Sequence, residues 1–374
     1  YFVAIGSIIP TVPRFVEGPL GGTNVSVGLV VGSFAFTAVL LRPLVGSIGD
    51  RKGRRILIVS GASIVGASIV AYVAVESLPL LVALRLVMGA GEAAFYVGAA
   101  SAINDLAPDE RRGEALSIFS LALYGGIAIG TVAGETILDV SDFTAVWIAA
   151  GGSALAAALL GFIVPDTRPD LGEVEHVRRW VHPSGLKPGT ILATSVLGLA
   201  GFNTFIPLYT LDIGMSGSRF VFFTFSAIVL TIRSFGARIP DILGARRAAT
   251  YALIASTVGL AVLALWAEPI GIYTGAVLFG VGQALAFPAL MTIALSGAPA
   301  AERGAVVGTF TAFFDLAFGL GAVALGAVSA LLGYRGLFLT AALVSLSGLV
   351  LMRAYVQRAR VLRNVDEARR PEPV

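Results

Sequence analysis

The chain has no cysteine in its 374 residues, which excludes a disulfide framework and any thiolate site. Histidine is nearly as scarce. His176 and His182, the two present, lie six apart in a polar loop, and a solvated loop accounts for them better than a metal site. Charged residues are 13% of the chain, against about 25% in a soluble domain. Lysine is almost absent, with 24 of the 26 basic residues being arginine. Together with abundant Ala, Gly and Val, this points to a GC-rich bacterial genome. No phosphate-binding loop, no G-x-S-x-G and no metal-ligand spacing occurs, so neither an ATP-driven pump nor an enzyme has support. The first apolar segment has no charged leader and no small-residue cleavage site, so it is not a signal peptide. It begins at Tyr1 without a Met, so the chain is expected to lack its natural start, with its first helix truncated.

Hydrophobic residues, by contrast, make up 56% of the chain, and mean hydropathy is +0.88. Twelve apolar runs are long enough to cross a hydrocarbon core of about 30 Å. They lie at 1–13, 25–48, 56–75, 79–103, 114–137, 143–164, 190–211, 219–240, 248–266, 270–296, 304–330 and 336–356. The expected fold is therefore an all-α membrane protein. Of the 26 basic residues, 20 fall on one side, in the loops at 50–55, 104–113, 165–189, 241–247 and 297–303, at Arg238 and Arg353, and in the tail. Arg14, Arg219 and Arg335 fall on the other side. The positive-inside rule then places both chain ends in the cytoplasm. The expected location is a bacterial inner membrane. The net charge of +3 reflects this asymmetry and not nucleic-acid binding. The basic tail, 357–374, is expected to touch anionic lipid heads.

The chain also matches itself at an offset of 191 residues. Arg42, Asp50, Gly53 and Arg55 recur as Arg233, Asp241, Gly244 and Arg246. Ala107-Pro108 recurs as Ala298-Pro299, and Arg112-Gly113 as Arg303-Gly304. Such duplicated halves in a membrane protein point to a transporter with its substrate held between them. The halves are 1–164 and 190–356, joined by a polar loop at 165–189 that is either a plain tether or, over Leu171–His182, a short interfacial helix.

At the turn between spans two and three the chain reads Gly46-Ser47-Ile48-Gly49-Asp50-Arg51-Lys52-Gly53-Arg54-Arg55. This resembles the signature G-x-x-x-D-R-x-G-R-R of the major facilitator superfamily in every defining position. A degenerate copy over 238–247, carrying Asp241, Gly244, Arg246 and Arg247, occupies the equivalent turn of the second half. The resemblance covers essentially the whole chain. It implies twelve helices in two six-helix bundles related by a pseudo-twofold axis, with helices one, four, seven and ten lining a central cavity. The physics of the motif is a latch. Gly46 and Gly49 permit close helix approach, and Asp50 at a helix end pairs with a nearby Arg. Asp50 and Arg51 are the gating candidates, with Arg54, although the basic residues also suit simple anchoring on the positive side.

Span four carries Arg85, Gly89, Gly91 and Glu92 and resembles the family's R-x-x-x-G-x-G. Arg85 and Glu92, seven apart, share a helix face with Tyr96. Glu92 is the leading proton carrier, tuned by Arg85; the alternative is a permanent Arg85–Glu92 pair that only holds helices together. The repeat puts Gln283 at the equivalent of Glu92. Span five sets Gly126, Gly130 and Gly134 at i, i+4 and i+8, a flat face for close packing. It resembles the family's antiporter motif, with Thr131 replacing the proline, a departure that weakens the antiporter reading.

Asp315 lies inside span eleven, opposite Tyr124 in the repeat, and is a second coupling candidate. Arg42 and Arg233 serve either as paired gate residues or as cations reaching the interface. Tyr96, Tyr124, Asn203, Tyr209, Gln283 and Phe287 are candidate cavity residues. The leading expectation is a monomeric, proton-coupled antiporter exporting small apolar or amphipathic compounds, driven by the proton gradient and needing no cofactor. An uptake symporter for a sugar or organic acid, a lipid flippase and a non-transporting sensor are the alternatives.

Overall fold

The structure, a computed structural model, describes residues 1–108, 111–167, 181–235, 242–296, 298–299 and 302–368. Asp241, His176 and the loop residues 168–180 lie outside them, so neither form of the tether is described.

Twelve α-helices run in order. They are α1 (Phe2–Glu17), α2 (Asn24–Lys52), α3 (Arg54–Val70), α4 (Leu78–Leu106), α5 (Arg112–Val140), α6 (Phe143–Gly161), α7 (Pro183–Asp212), α8 (Arg219–Phe235), α9 (Ala245–Leu265) and α10 (Pro269–Leu295). The stretch Arg303–Ala368 holds α11 and α12, separated at Gly333, whose φ of 68° breaks the helix. Nine of the described stretches are long and apolar enough to cross a membrane, the last counted as one. α1 and α8, at 16 and 17 residues, are shorter than that. Leu, Ile and Phe side chains such as Leu40, Leu159, Phe220 and Leu320 stand exposed on the helices, a surface that suits lipid.

The helix boundaries have local causes. Thr23 and Asp142 cap α2 and α6 through their side-chain oxygens, and Pro begins α4, α7 and α10. Gly53 and Gly244, equivalent in the repeat, both take positive φ (96° and 79°) in the turns before α3 and α9. α7 starts at Pro183, seven residues ahead of the span edge read from hydropathy, because His182 organises its first turn. The His182 Nδ1 accepts a hydrogen bond from Ser184 N, its backbone N–H donates to Thr309 Oγ1, and its Nε2 lies 2.6 Å from Glu302 Oε2. His182 is 5% exposed and is a buried cap, not a solvated loop residue.

The hydrophobic core is divided unevenly. The end that carries the α2–α3 and α4–α5 turns is here called the inner end; the other is the outer end. At the outer end a single cluster joins both repeats, from Val12, Val27, Tyr72 and Trp147 to Phe205, Phe222, Leu263 and Phe338. At the inner end the core splits. Ala38, Val45 and Leu57 form one cluster and Ile58, Ala62 and Phe95 another, while Leu192, Leu253, Leu290 and Phe310 form a third, on the other repeat.

Candidate functional site

Helices of the two repeats cross at equivalent places, α2 on α11 and α5 on α8. The α2/α11 seam changes along its length. Near the outer end the backbones touch. A methyl added at Gly28 or Gly32 would collide with the carbonyls of Ala322 and Gly319, and Asn24 Nδ2 donates to Ser329 Oγ at 2.7 Å. Deeper in, Arg42 of α2 meets Asp315 of α11. Its Nη2 donates to Oδ1 at 3.0 Å, and Nη1 lies 2.7 Å from Oδ2, off the hydrogen-bond axis. One turn further along α2, a methyl added at Gly46 would meet no described atom within 4 Å, and neither would one at Gly308, seven residues before Asp315 on α11. Gly46 therefore makes no close helix approach here; Gly49 does, against Leu57 and the Arg54 guanidinium.

The α5/α8 crossing differs. Arg233 of α8 lies over the ring of Tyr124 of α5, with Cζ 4.8 Å from the centroid. Among the described residues Arg233 has no ion pair, and its shielded Nε has no acceptor. Tyr96 stands between the crossings. It is 37% exposed, Arg42 Cζ sits 5.8 Å from its ring centroid, and its hydroxyl is within electrostatic reach of Tyr124, Arg233 and Asp315.

Glu92 is half-buried on α4 and makes no hydrogen bond or ion pair among the described residues. Arg85, Asp315 and Arg42 are its charged neighbours, and Tyr1 faces it from α1. The Arg85–Glu92 pair offered by their spacing is not formed. Arg85 is 4% exposed; its Nε donates to Val30 O at 3.1 Å, its Nη2 to Val31 O at 3.2 Å, and it lies over Phe34 at 4.7 Å. Those α2 carbonyls and the aromatic face satisfy the guanidinium locally, so it ties α4 to α2 and acts on Glu92 only through its field.

At the inner end Asp50 pairs with Arg54 at 2.8 Å, and Arg54 Nε donates to Asp105 Oδ2 at 3.2 Å. Thr167 Oγ1 joins the same carboxylate, and Arg54 N–H donates to Thr167 O. Arg54, 7% exposed, is the centre of this network, whereas Arg51 is exposed with no partner among the described residues. The cluster binds α2, α3, α4 and the segment after α6 within one repeat. Gly126, Gly130 and Gly134 lie against the α1 backbone at Phe2, Val3 and Ser7, and Thr131 Oγ1 donates to Ala128 O at 2.9 Å.

Three expected cavity residues have partners within their own repeat. Tyr209 is buried near the outer end, stacked beside Tyr334 and Phe338 with its hydroxyl donating to Leu263 O. Gln283 donates to Ser195 Oγ at 2.8 Å, a link between α10 and α7. Phe287 packs on Phe310 and Phe314. Tyr209 is thus enclosed, while Gln283 and Phe287 are half-buried beside partners of the same repeat. Asn203 is half-buried on α7.

Glu135 was not singled out by sequence. It is 1% exposed at the outer end of α5, and both carboxylate oxygens accept from Ser218 N at 3.0 Å while Ser218 Oγ and Arg219 N also donate to it. This caps the N-terminus of α8, where an anion is favoured. Asp139 one turn on pairs with Arg219 at 2.7 Å. The available signal was a carboxylate next to Gly134 in an otherwise apolar run.

Membrane-length helices packed through small residues, with charged side chains facing each other across the repeats, define a membrane transporter fold. The chain belongs to the Major Facilitator Superfamily, whose sequence pattern matches residues 1–322 and again 220–373. It is 30% identical over 381 residues to an uncharacterized MFS-type transporter of Pseudomonas aeruginosa, spanning 96% of this chain and 91% of that one. An uncharacterized MFS-type transporter of Salmonella typhimurium is 28% identical over 365 residues, spanning 93% and 91%. Among solved structures, a bacterial homolog of the human lysosomal transporter Spinster superposes with a TM-score of 0.76 at 14% identity, over 95% of this chain and 94% of that one. The human organic anion transporter TETRAN gives 0.72 at 20%, over 94% and 96%. The protein is thus an integral membrane protein whose relatives are named as transporters.

Proposed function

We propose that the protein is a proton-coupled secondary transporter that exports small apolar or amphipathic compounds by antiport. In this reading twelve spans form two six-helix bundles in the inner membrane, with the inner end facing the cytoplasm. The bundles rock about a central substrate site between the crossings. The fused core, Asn24–Ser329 and Glu135–Ser218 close the outer side, while the seam at Gly46 and Gly308 lies open. Opening outward breaks the first set and closes the second, with Asp50 and Arg54 keeping the inner ends of α2, α3 and α4 together as one moving piece.

The observation that carries the coupling is the state of Glu92. Arg85 is committed to α2 and Asp315 to Arg42, but Glu92 has no fixed partner. A half-buried carboxyl without a partner is the group best placed to take and release a proton as its surroundings change. A second reading, uptake of an organic acid together with a proton, is favoured by the unpaired cation Arg233.

The test is proton movement in energised everted vesicles, followed with a pH-quenched dye while compounds are added. Antiport predicts fluorescence recovery with a transported compound, lost in Glu92→Gln. Recovery that survives this change moves the proton to Asp315. No recovery with any compound overturns export by antiport.

A further inference from the structure

Residues 124 and 315 are equivalent in the repeat, as are Arg42 and Arg233. Each arginine reaches across to the equivalent position of the other repeat, Arg42 to Asp315 and Arg233 to Tyr124. One crossing therefore carries its own counter-ion. The other offers a phenol ring, whose face attracts the guanidinium but supplies no counter-ion; the Nε hydrogen lacks an acceptor at both arginines, so the missing carboxylate is what sets Arg233 apart. A cation at this depth is costly unless an anion meets it. Tyr96 and Phe119, with ring centroids 5.8 Å apart, continue the aromatic surface beside it.

We propose that Arg233 receives the anionic head of the transported compound, a carboxylate on an apolar body, in the place that Asp315 fills for Arg42. This deepens the transporter reading above and rests on it. The single charge follows from the residues. Arg42 is already paired with Asp315 and Arg85 is held by α2, so among the described residues at these crossings only Arg233 is left without a counter-ion. A dianion finds no second partner. The planar fork of arginine matches a carboxylate. The rings of Tyr124, Tyr96 and Phe119 suit a flat apolar body and give a sugar few hydrogen bonds. The anion site and Glu92 lie on different helices, and the charged neighbours of Glu92 are Arg85, Asp315 and Arg42, so proton and substrate are linked through movement of the crossings and not by rivalry for one carboxylate.

The experiment is calorimetric binding to the purified full chain in nanodiscs, with no gradient present. The probes are 2-naphthoate, the neutral 2-naphthamide and the cation 2-naphthylmethylammonium. Wild type is expected to bind the naphthoate at least about tenfold more tightly than the other two, a difference of about 1.4 kcal/mol. Arg233→Gln is expected to remove that preference and leave naphthamide affinity in place, which also shows that the variant is folded. Arg233→Lys retains part of it. Equal affinity for the three probes, no binding of the anion, or a preference that survives Arg233→Gln overturns the proposal. Binding needs no gradient, so a failure of antiport in vesicles leaves this result standing, and a failure here leaves the coupling reading standing.

Discussion

The crossings of α2 on α11 and of α5 on α8 come from one duplicated sequence and place arginines at matching positions, yet they solve the burial of those arginines differently. At the first, Arg42 has a carboxylate 2.7 Å away. At the second, Arg233 has only the face of Tyr124. The first arrangement is a closed pair of charges between the repeats. The second is an open one. A duplicated scaffold can in this way keep its symmetry in the backbone, as the matched turns at Gly53 and Gly244 show, and break it in single side chains. The same division runs along the α2/α11 seam: its outer part is close and bonded, while added methyls at Gly46 and Gly308 would meet no described atom.

Changes that upset the closed crossing should have the largest effect. Arg42→Gln leaves Asp315 buried without its partner and is expected to cost about 3–5 kcal/mol. The loss should be visible as a lowered midpoint of thermal unfolding in detergent. Adding Asp315→Asn should recover most of it, and a double variant as unstable as the single one would show that the pair is not what holds this crossing. The equivalent Arg233→Gln should leave the midpoint nearly unchanged, which is the sharpest form of the contrast.

Next in size is the outer clamp. Glu135→Ala strands the donors of Ser218 and Arg219 and is expected to cost at least about 2 kcal/mol, the worth of one hydrogen bond to a charged group. It should also shift the protein toward its outward-open form. Because the chain has no cysteine, a single Ser329→Cys reporter can read this directly. Its modification by a polar maleimide should quicken in the Glu135→Ala background; an unchanged rate would remove Glu135 from the outer gate.

The smallest effects compare two glycines on one helix face of α2. Gly32→Ala drives a methyl into the Gly319 carbonyl and is expected to lower stability by about 1–3 kcal/mol. Gly46→Ala meets nothing within 4 Å and should leave the midpoint within about 0.5 kcal/mol of wild type. Equal costs at the two positions would mean that the seam is not graded from closed to open.

Much of this architecture was legible in the sequence because it depends on local rules. Apolar runs of membrane length, the glycines at 126, 130 and 134, and the 191-residue repeat pointed to the helices and their family. The pairing of charges was not legible. Arg85 and Glu92 share a helix face, but nothing in their spacing reveals that the carbonyls of Val30 and Val31 lie closer to the arginine than Glu92 does. Arg42 and Asp315 stand 273 residues apart and meet only through the crossing of α2 and α11. Tyr209 and Gln283 read as cavity residues because polar groups in apolar helices are often functional, but each has found a partner inside its own repeat. His182 looked solvated because its neighbours in sequence are polar; its neighbours in space, Thr309 and Glu302, come from the far end of the chain.

The measurement that bears most directly on the division between the crossings is the affinity of Tyr124→Asp for 2-naphthoate. This change gives Arg233 the counter-ion that Arg42 already has. The account predicts that the protein becomes at least as stable as wild type and that naphthoate binds no better than naphthamide, because the carboxylate now comes from the chain. Naphthoate affinity equal to that of wild type, with Arg233 and the introduced carboxylate both in place, would contradict it.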